Sequence, residues 1–160
     1  MIARLVEEIM DSEPVSVRPD DDVRTVVELL RTHELHGVPV VDGERRVVGI
    51  VTESDLVIAE QDAELRLPHW LPIMGGVVFI ERFKGFESRL RKALASDVEH
   101  LMTADPIVCR TTDPVRLAAR LISEHHHNRL PVVDDEGRLA GVVTRVDVVA
   151  ALIADDDQPA

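Results

Sequence analysis

The stretch His-Gly-Val-Pro-Val-Val-Asp at residues 36–42 returns 92 positions later as Asn-Arg-Leu-Pro-Val-Val-Asp at residues 128–134. The match extends in both directions without a gap, and residues 6–59 (the first copy) agree with residues 98–151 (the second copy) at 22 of 54 positions. Unrelated sequences of average composition would agree at roughly three or four. The repeat predicts two copies of one supersecondary unit, each burying its apolar face against the other.

Length and composition predict one compact domain of two intertwined halves with an aliphatic core. The 160 residues include one tryptophan, three phenylalanines and no tyrosine, and carry a formal net charge of −12. That charge disfavours nucleic acid as a partner, because phosphate backbones are bound by clustered Lys and Arg. The single cysteine, Cys109, fits a reducing compartment. With no signal-peptide pattern and no apolar run that could span a membrane, we expect a soluble, cytoplasmic protein.

The second copy predicts the order strand, helix, strand, strand, helix. Residues 106–109 form a short extended run, and Thr112-Asp113-Pro114 suits a helix N-terminus, with a capping residue before a proline. Apolar residues then follow a helical period. Two β-branched runs, 130–133 and 138–143, flank an Asp-Asp-Glu-Gly turn. A second helix starts at residues 144–147, and the first copy follows the same order.

The Thr-x-x-Asp sequence that follows the last strand of each copy has two interpretations. It occurs as Thr52 with Asp55 and as Thr144 with Asp147. A threonine followed three residues later by an acid, before an apolar helical run, is a capping box. The same turn exposes backbone N–H groups that can bind phosphate, and its Asp can accept hydrogen bonds from ribose hydroxyls. Spacing alone favours the structural cap.

These motifs in this arrangement resemble the CBS domain, named after cystathionine β-synthase. The resemblance is carried by the two Pro-Val-Val-Asp blocks, by Gly-x-Val-Thr-x-x-Asp at 49–55 and 141–147, and by Met-x-x-x-Pro at 10–14 and 102–106. It covers about two thirds of the chain. It implies an α/β fold in which two CBS domains pack with pseudo-twofold symmetry, a module that often pairs again into a disc-shaped homodimer.

The resemblance also implies a ligand site in each copy. In similar families the Thr hydroxyl and the Asp carboxylate hold a ribose, small apolar strand residues contact adenine, and a basic residue before the proline-containing strand meets phosphates. The opening strand of one copy closes the site of the other. The ligand residues implied for the second-copy site are Asn128, Arg129, Leu130, Pro131, Thr144 and Asp147, closed by Val15 and Ser16. Those implied for the first-copy site are His36, Gly37, Val38, Thr52 and Asp55, closed by Ile107 and Val108.

The two predicted sites differ in charge. Arg129 offers a guanidinium that can hold phosphate through two hydrogen bonds, whereas Gly37 occupies the equivalent position in the first copy. We therefore expect the second-copy site to bind an adenine nucleotide more tightly than the first-copy site. The candidate ligands are AMP, ADP, ATP and S-adenosylmethionine, none of them a required cofactor, and Arg129 modestly favours those that carry phosphate.

The functional prediction is a non-catalytic regulatory module that senses an adenine-containing small molecule. CBS modules commonly regulate a catalytic domain, and since none is recognisable here, the output is expected to pass through a separate protein partner of unknown identity. No nucleophile–base pair or Gly-rich phosphate loop points to catalysis. A metal site is not expected, because the adjacent histidines 125–127 point in different directions and no Cys or acid cluster completes a ligand set. His33 and His36 have i, i+3 spacing, but Gly37 and the strand that follows indicate that the helix has already ended. The alternative is a structural or adaptor homodimer whose Thr-x-x-Asp elements are only caps.

The repeat sets the predicted domain boundaries. We expect the first CBS domain at 1–59, a linker at 60–93, the second CBS domain at 94–153 and a disordered acidic tail at 154–160. A locally basic linker helix can lie on a membrane surface or in a partner's groove, but we favour packing on its own module or at a dimer interface. Its apolar stripe consists of Phe79, Phe83, Phe86, Leu90 and Leu94.

Overall fold

A computed structural model of the chain describes residues 4–53, 55–56 and 97–156. These residues form two three-stranded sheets, one for each copy. The first sheet has the order β1 (Gly37–Val41), β2 (Val47–Thr52) and β3 (Thr103–Ala104). The second sheet has the order β4 (Cys109–Arg110), β5 (Arg129–Val133) and β6 (Leu139–Thr144). The predicted linker helix lies outside the described residues.

Three α-helices and two short 3-10 helices accompany the sheets in the described part of the chain. The α-helices are α1 (Val23–Thr32), α2 (Val115–His125) and α3 (Arg145–Asp156), and the 3-10 helices are Val6–Glu8 and Val98–His100. In the second copy β4, α2, β5, β6 and α3 follow one another, which confirms the predicted order. In the first copy a single parallel bridge from residue 17 to residue 40 replaces the opening strand.

The start of α2 differs from the sequence prediction. The helix begins at Val115, and Pro114 is its N-cap, without a capping side-chain hydrogen bond. Asp113 does not cap the helix, because its carboxylate turns back and accepts the Arg110 N–H at 2.8 Å. The opening strand comprises Cys109–Arg110, whereas the sequence predicted an extended run at 106–109.

Helix α3 extends further than the sequence indicated. It continues through Asp156, so the first three residues of the expected disordered tail are helical, and Arg4 forms an ion pair with Asp155 at 3.3 Å. Residues 157–160 lie outside the described residues. The helix leaves an apolar stripe in solvent, since Val146, Val149 and Ile153 are 75%, 49% and 58% exposed. No helix in the described ranges is both long and apolar enough to cross a membrane.

Each copy contributes its opening residues to the core of the other copy. Val6, from the start of the first copy, is fully buried in the apolar cluster around the second sheet. Val98, its equivalent in the second copy, is fully buried in the cluster around the first sheet. Asp11 correspondingly forms an antiparallel bridge to Val142, just as β3 pairs with β2. The two copies are thus intertwined, as the sequence predicts.

The hairpin turns of the two copies meet at the pseudo-twofold axis. Arg46 forms an antiparallel bridge with Arg138, which is its own equivalent 92 residues later. Residues related by a twofold operation can pair with each other only near its axis. The Val47 N–H donates to the Gly137 carbonyl at 3.1 Å, which ties the first sheet to the second beside this bridge.

The repeated methionines and glycines form a second contact between the copies. A Cβ atom on Gly141 would lie 2.6 Å from the Met10 sulfur, and one on Gly49 would lie 2.5 Å from the Met102 sulfur. Each methionine therefore occupies space that a glycine in the other copy leaves open. The repeat preserves these four positions because they form the same contact twice.

Candidate functional site

The strand-to-helix junction of each copy holds a hydrogen-bonded Thr–Asp pair. Asp147 Oδ2 accepts the Thr144 backbone N–H at 2.9 Å and its hydroxyl at 2.5 Å, and Thr144 Oγ1 accepts the Asp147 N–H at 3.3 Å. In the first copy Asp55 Oδ2 accepts the N–H and the hydroxyl of Thr52 at 2.8 and 3.1 Å. The predicted return bond from the aspartate to the threonine N–H is present in both copies, and in the second copy Thr144 Oγ1 also caps the Asp147 N–H.

The second carboxylate oxygen distinguishes the two pairs. Asp55 Oδ1 accepts the hydroxyl of Thr103, a residue of β3 from the second copy, at 3.4 Å. The position equivalent to Thr103 is Asp11, which has no hydroxyl to donate. Within the described residues, Asp147 Oδ1 accepts no hydrogen bond. Among the described residues, one oxygen of the second-copy aspartate therefore remains without a donor.

The inter-copy cleft, which we define by the two Thr–Asp pairs, contains the side chain of Arg129. This residue begins β5 and pairs with Thr144 across the β5–β6 ladder. Its Nη1 donates to the Gly37 carbonyl at 3.2 Å, and Gly37 pairs with Thr52 across the β1–β2 ladder. The guanidinium thus reaches from the second-copy junction to the first-copy junction.

Arg129 is a partly buried cation with incomplete hydrogen bonding. Burial lowers the pKa of its guanidinium, whereas the charges of Asp147 and Glu53 act in the opposite direction. An arginine remains charged at neutral pH despite such a shift. In the described part of the structure its Nε is buried and has no hydrogen-bond partner. Because this atom is buried, an oxyanion can accept its N–H only after the side chain moves.

The residues that follow the two threonines give the junctions opposite charges. Glu53 and Arg145 occupy equivalent positions, and their N–H groups donate to the carbonyls of His36 and Asn128 at 3.1 and 2.8 Å. The Glu53 carboxylate lies 3.2 Å from His36 Nδ1, whereas the Arg145 guanidinium donates to the His127 carbonyl at 3.1 Å. The second-copy junction is therefore better suited to an anion.

Glu53, Arg145 and Thr103 were missed in the reading of the sequence. The prediction relied mainly on positions that are identical in the two copies, and Glu53 and Arg145 occupy a position that differs. Comparing the residue after each Thr would have found them, because it contrasts an acid with a base. Thr103 carries no local signal, since it reaches Asp55 only through the exchange of opening residues.

Besides the buried Gly37, three of the predicted ligand residues have side chains that lie in the interior. Val38 and Leu130 are completely buried in the two apolar clusters, and Pro131 is also buried. Their side chains stabilise the sheets, so a ligand in the cleft would meet them mainly through their backbone.

The predicted closing strands lie partly exposed beside their own sheets. Val15 packs against the first-copy cluster, and Ile107 packs against the second-copy cluster. Ser16 and Val108 are half-buried next to them. That each opening strand closes the site of the opposite copy stays a prediction, as does a ligand contact of the exposed Asn128.

The histidine run and one exposed cluster contain side chains of the types that bind metals. The rings of His125 and His127 stack with centroids 6.1 Å apart at the end of α2. Elsewhere in the described residues, Asp97, Glu99 and His100 bring one donor atom each to within 4.8 Å of the others. All three are exposed, and exposed acidic groups of this kind are common without an ion.

Comparison with known proteins identifies the family. The model of the CBS domain matches residues 6–62 and 96–154. Protein MJ1426 of Methanocaldococcus jannaschii is 36% identical over 154 residues, which cover 93% of this chain and 91% of that protein. The crystal structure of CBSX2 from Arabidopsis thaliana in complex with AMP superposes with a TM-score of 0.70 at 29% identity, covering 95% of this chain and 98% of that chain.

A match to an enzyme is confined to part of that enzyme. Inosine-5′-monophosphate dehydrogenase of Methanocaldococcus jannaschii is 27% identical over 143 residues, which cover 89% of this chain but 22% of the enzyme. The two segments matched by the family model correspond to the two copies of the repeat. The chain belongs to the CBS domain family and contains a tandem pair of these domains.

Proposed function

We propose that this chain is a non-catalytic regulatory module that binds an adenine nucleotide between its two CBS domains. The observation that carries the proposal is the partly buried guanidinium of Arg129, which lies beside the hydrogen-bonded Thr144–Asp147 pair. CBSX2, a relative of the same family, has been crystallised in complex with AMP, which supports the choice of ligand. The reducing cytoplasm, where Cys109 stays a thiol, is the proposed location.

In this proposal the second-copy junction holds the sugar and the phosphate. Asp147 Oδ1 accepts a ribose hydroxyl, because Oδ2 is already used by Thr144. Arg129 binds the phosphate with its guanidinium, and Arg145 adds a second positive charge at the exposed edge of the cleft. A guanidinium favours AMP, ADP and ATP over S-adenosylmethionine, which has no phosphate.

Regulation would follow from the position of the ligand between the copies. A ligand can shift the relative orientation of two domains only as far as it binds the two arrangements with different affinity. The guanidinium that binds the phosphate in this proposal also donates to the Gly37 carbonyl, so the ligand acts on a group that connects the two copies. A protein partner would then read the altered surface.

Calorimetric titration of the ligand-free chain with AMP, ADP, ATP and S-adenosylmethionine tests the proposal. We expect saturable binding of the phosphorylated ligands that is strongly weakened by Asp147→Asn, which removes the charge while keeping the size of the side chain. Asp55→Asn is the matched control, since it makes the same change 92 residues earlier. Circular dichroism would confirm that both variants remain folded despite the loss of a capping interaction, which costs about 1 kcal/mol.

Absence of binding by a folded protein would contradict the proposal and favour the structural alternative. The observation behind that alternative is that both Thr–Asp pairs already form capping hydrogen bonds without a ligand. In that case the chain would act as an adaptor through protein contacts alone.

We further propose that the module forms a homodimer through the exposed apolar stripe of α3. If two copies of α3 pack antiparallel, the stripe of Val146, Val149 and Ile153 covers itself in an isologous contact. The same arrangement brings Arg145, at the start of the helix, towards the partner's Asp156 at its end. This charge complementarity favours a second copy as the occupant of the stripe.

A further inference from the structure

The Arg129 side chain connects the two candidate sites. Its backbone pairs with Thr144 in the second sheet, and its Nη1 donates to the Gly37 carbonyl at 3.2 Å in the first sheet. Gly37 in turn pairs with Thr52. The side chain therefore begins at one Thr–Asp pair and ends at the other.

Carboxylates from both copies act on this guanidinium. Burial lowers its pKa, and the charges of Asp147, from the second copy, and Glu53, from the first, oppose that shift. A cation that lies between one carboxylate from each copy is attracted to both. A change at either junction therefore alters the balance that positions the side chain.

The first copy has a glycine instead of a cation at the equivalent position, and a side chain there would be tightly packed. Gly37 is buried, and a Cβ atom there would lie 3.0 Å from the Val51 carbonyl oxygen and 3.1 Å from Thr52 Cγ2. The first-copy junction instead contains Glu53, paired with His36. A phosphate bound beside Thr52 would face this carboxylate, and Arg129 is the cation that reaches the junction from the other copy.

We propose that the two candidate sites compete for Arg129. The inference rests on the proposed nucleotide-binding function and adds a coupling between its two sites. A phosphorylated ligand at Thr144–Asp147 draws the guanidinium away from the Gly37 carbonyl, and the Thr52–Asp55 site then loses its cation. Because coupling between sites is reciprocal, disabling the second-copy site should strengthen the binding of phosphate at the first-copy site.

Calorimetric titration with AMP tests the competition. Thr144→Val disables the second-copy site while keeping the charge of Asp147, and Thr52→Val, the same change in the first copy, assigns each binding event to its site. In the Thr144→Val protein, AMP should bind to the first-copy site about tenfold more tightly than the second equivalent of AMP binds to the unmodified chain. In an Arg129→Gln background this gain should vanish, whereas in an Arg138→Gln background, which removes an exposed cation at the turns, it should persist.

The outcomes separate this inference from the function on which it rests. Equal first-copy affinities with and without Thr144→Val would overturn the competition, while AMP binding itself would still support the proposed function. A single equivalent of AMP that Thr144→Val abolishes would also overturn it, because the first copy would then have no site to compete. Absence of AMP binding to the folded, unmodified chain would overturn both.

Discussion

At the scale of single residues, the two Thr–Asp junctions differ because Gly37 in the first copy corresponds to Arg129 in the second copy. The Thr–Asp pairs, the bond from each aspartate to the threonine N–H and the strand registers are the same in both copies. The difference in charge around them comes from Arg129 and from the contrast between Glu53 and Arg145. In the proposed function, specificity for an anion therefore depends on a few side chains placed on a symmetrical backbone.

Arg129→Gln should lower the affinity for AMP by about tenfold to a hundredfold, the range expected for the loss of a charged hydrogen bond. The affinity for adenosine, which has the same base and ribose but no phosphate, should fall by less than about threefold. The measurement is calorimetric titration of both ligands. Equal losses for AMP and adenosine would contradict the assignment of Arg129 to the phosphate, because they would indicate damage to the whole site.

Cys109 makes a prediction about pH. Burial, aided by the charge of Asp113, raises the pKa of its thiol from 9.0 to about 11 in the folded chain. The neutral thiol is thus favoured by folding, and its contribution to stability is complete below pH 9 and is lost as the pH rises towards 11.

Between pH 9 and 11 the free energy of unfolding should fall by up to about 2–3 kcal/mol more in the unmodified chain than in Cys109→Ala. Urea denaturation of the two proteins across this range gives both slopes, and only their difference concerns the thiol. Parallel slopes would contradict the buried environment of Cys109.

At the scale of elements, the pattern of apolar residues predicted the helices and strands, but side-chain hydrogen bonds decided where they begin. The order strand, helix, strand, strand, helix follows from periodicity and turn residues. The start of α2 does not, because Asp113 bonds back to Arg110 rather than forward into the helix. Residue type alone does not show whether the Asp113 carboxylate accepts a backbone N–H before the helix or one inside it.

The contacts of Met10 and Met102 with glycine give a prediction about packing. Gly141→Ala should lower the free energy of unfolding by about 1–3 kcal/mol, because its Cβ would lie 2.6 Å from the backbone oxygen of Asp11, which is fixed by its bridge to Val142. Gly49→Ala should cost less, since its closest neighbour, at 2.5 Å, is the sulfur of a flexible methionine. Urea denaturation measures both.

Gly43→Ala is the control for this pair. No atom lies within 4 Å of a Cβ at that turn position, so the substitution should change stability by less than about 0.5 kcal/mol. If Gly141→Ala were as harmless as Gly43→Ala, the close contact between the opening segment and β6 would be wrong.

At the scale of the whole molecule, the exchange of opening residues makes the two CBS domains interdependent. Val6 completes the second core and Val98 completes the first. The duplication predicted two packed units, and their intertwining was expected, but the specific partners of Val6 and Val98 could not be read from periodicity. Likewise, the repeat predicted the Thr–Asp pairs, whereas the hydrogen bond from Arg129 to Gly37 depends on how the two copies pack.

The proposed homodimer is tested by a substitution on the apolar stripe of α3. Val149→Asp places a charge at the centre of the antiparallel contact, so sedimentation velocity should move from dimer to monomer. Arg120→Asp, which changes an exposed residue of α2, is the control and should leave the sedimentation coefficient unaltered. A Val149→Asp protein that sediments like the unmodified chain would remove α3 as the interface.

In the proposed function, the inter-copy cleft binds an adenine nucleotide through Arg129, Thr144 and Asp147. A crystal structure of the chain with AMP tests it directly. We predict a phosphate oxygen within about 3 Å of the Arg129 guanidinium and a ribose hydroxyl at the same distance from Asp147. AMP bound away from both Thr–Asp pairs, or a phosphate that makes no contact with Arg129, would contradict the account.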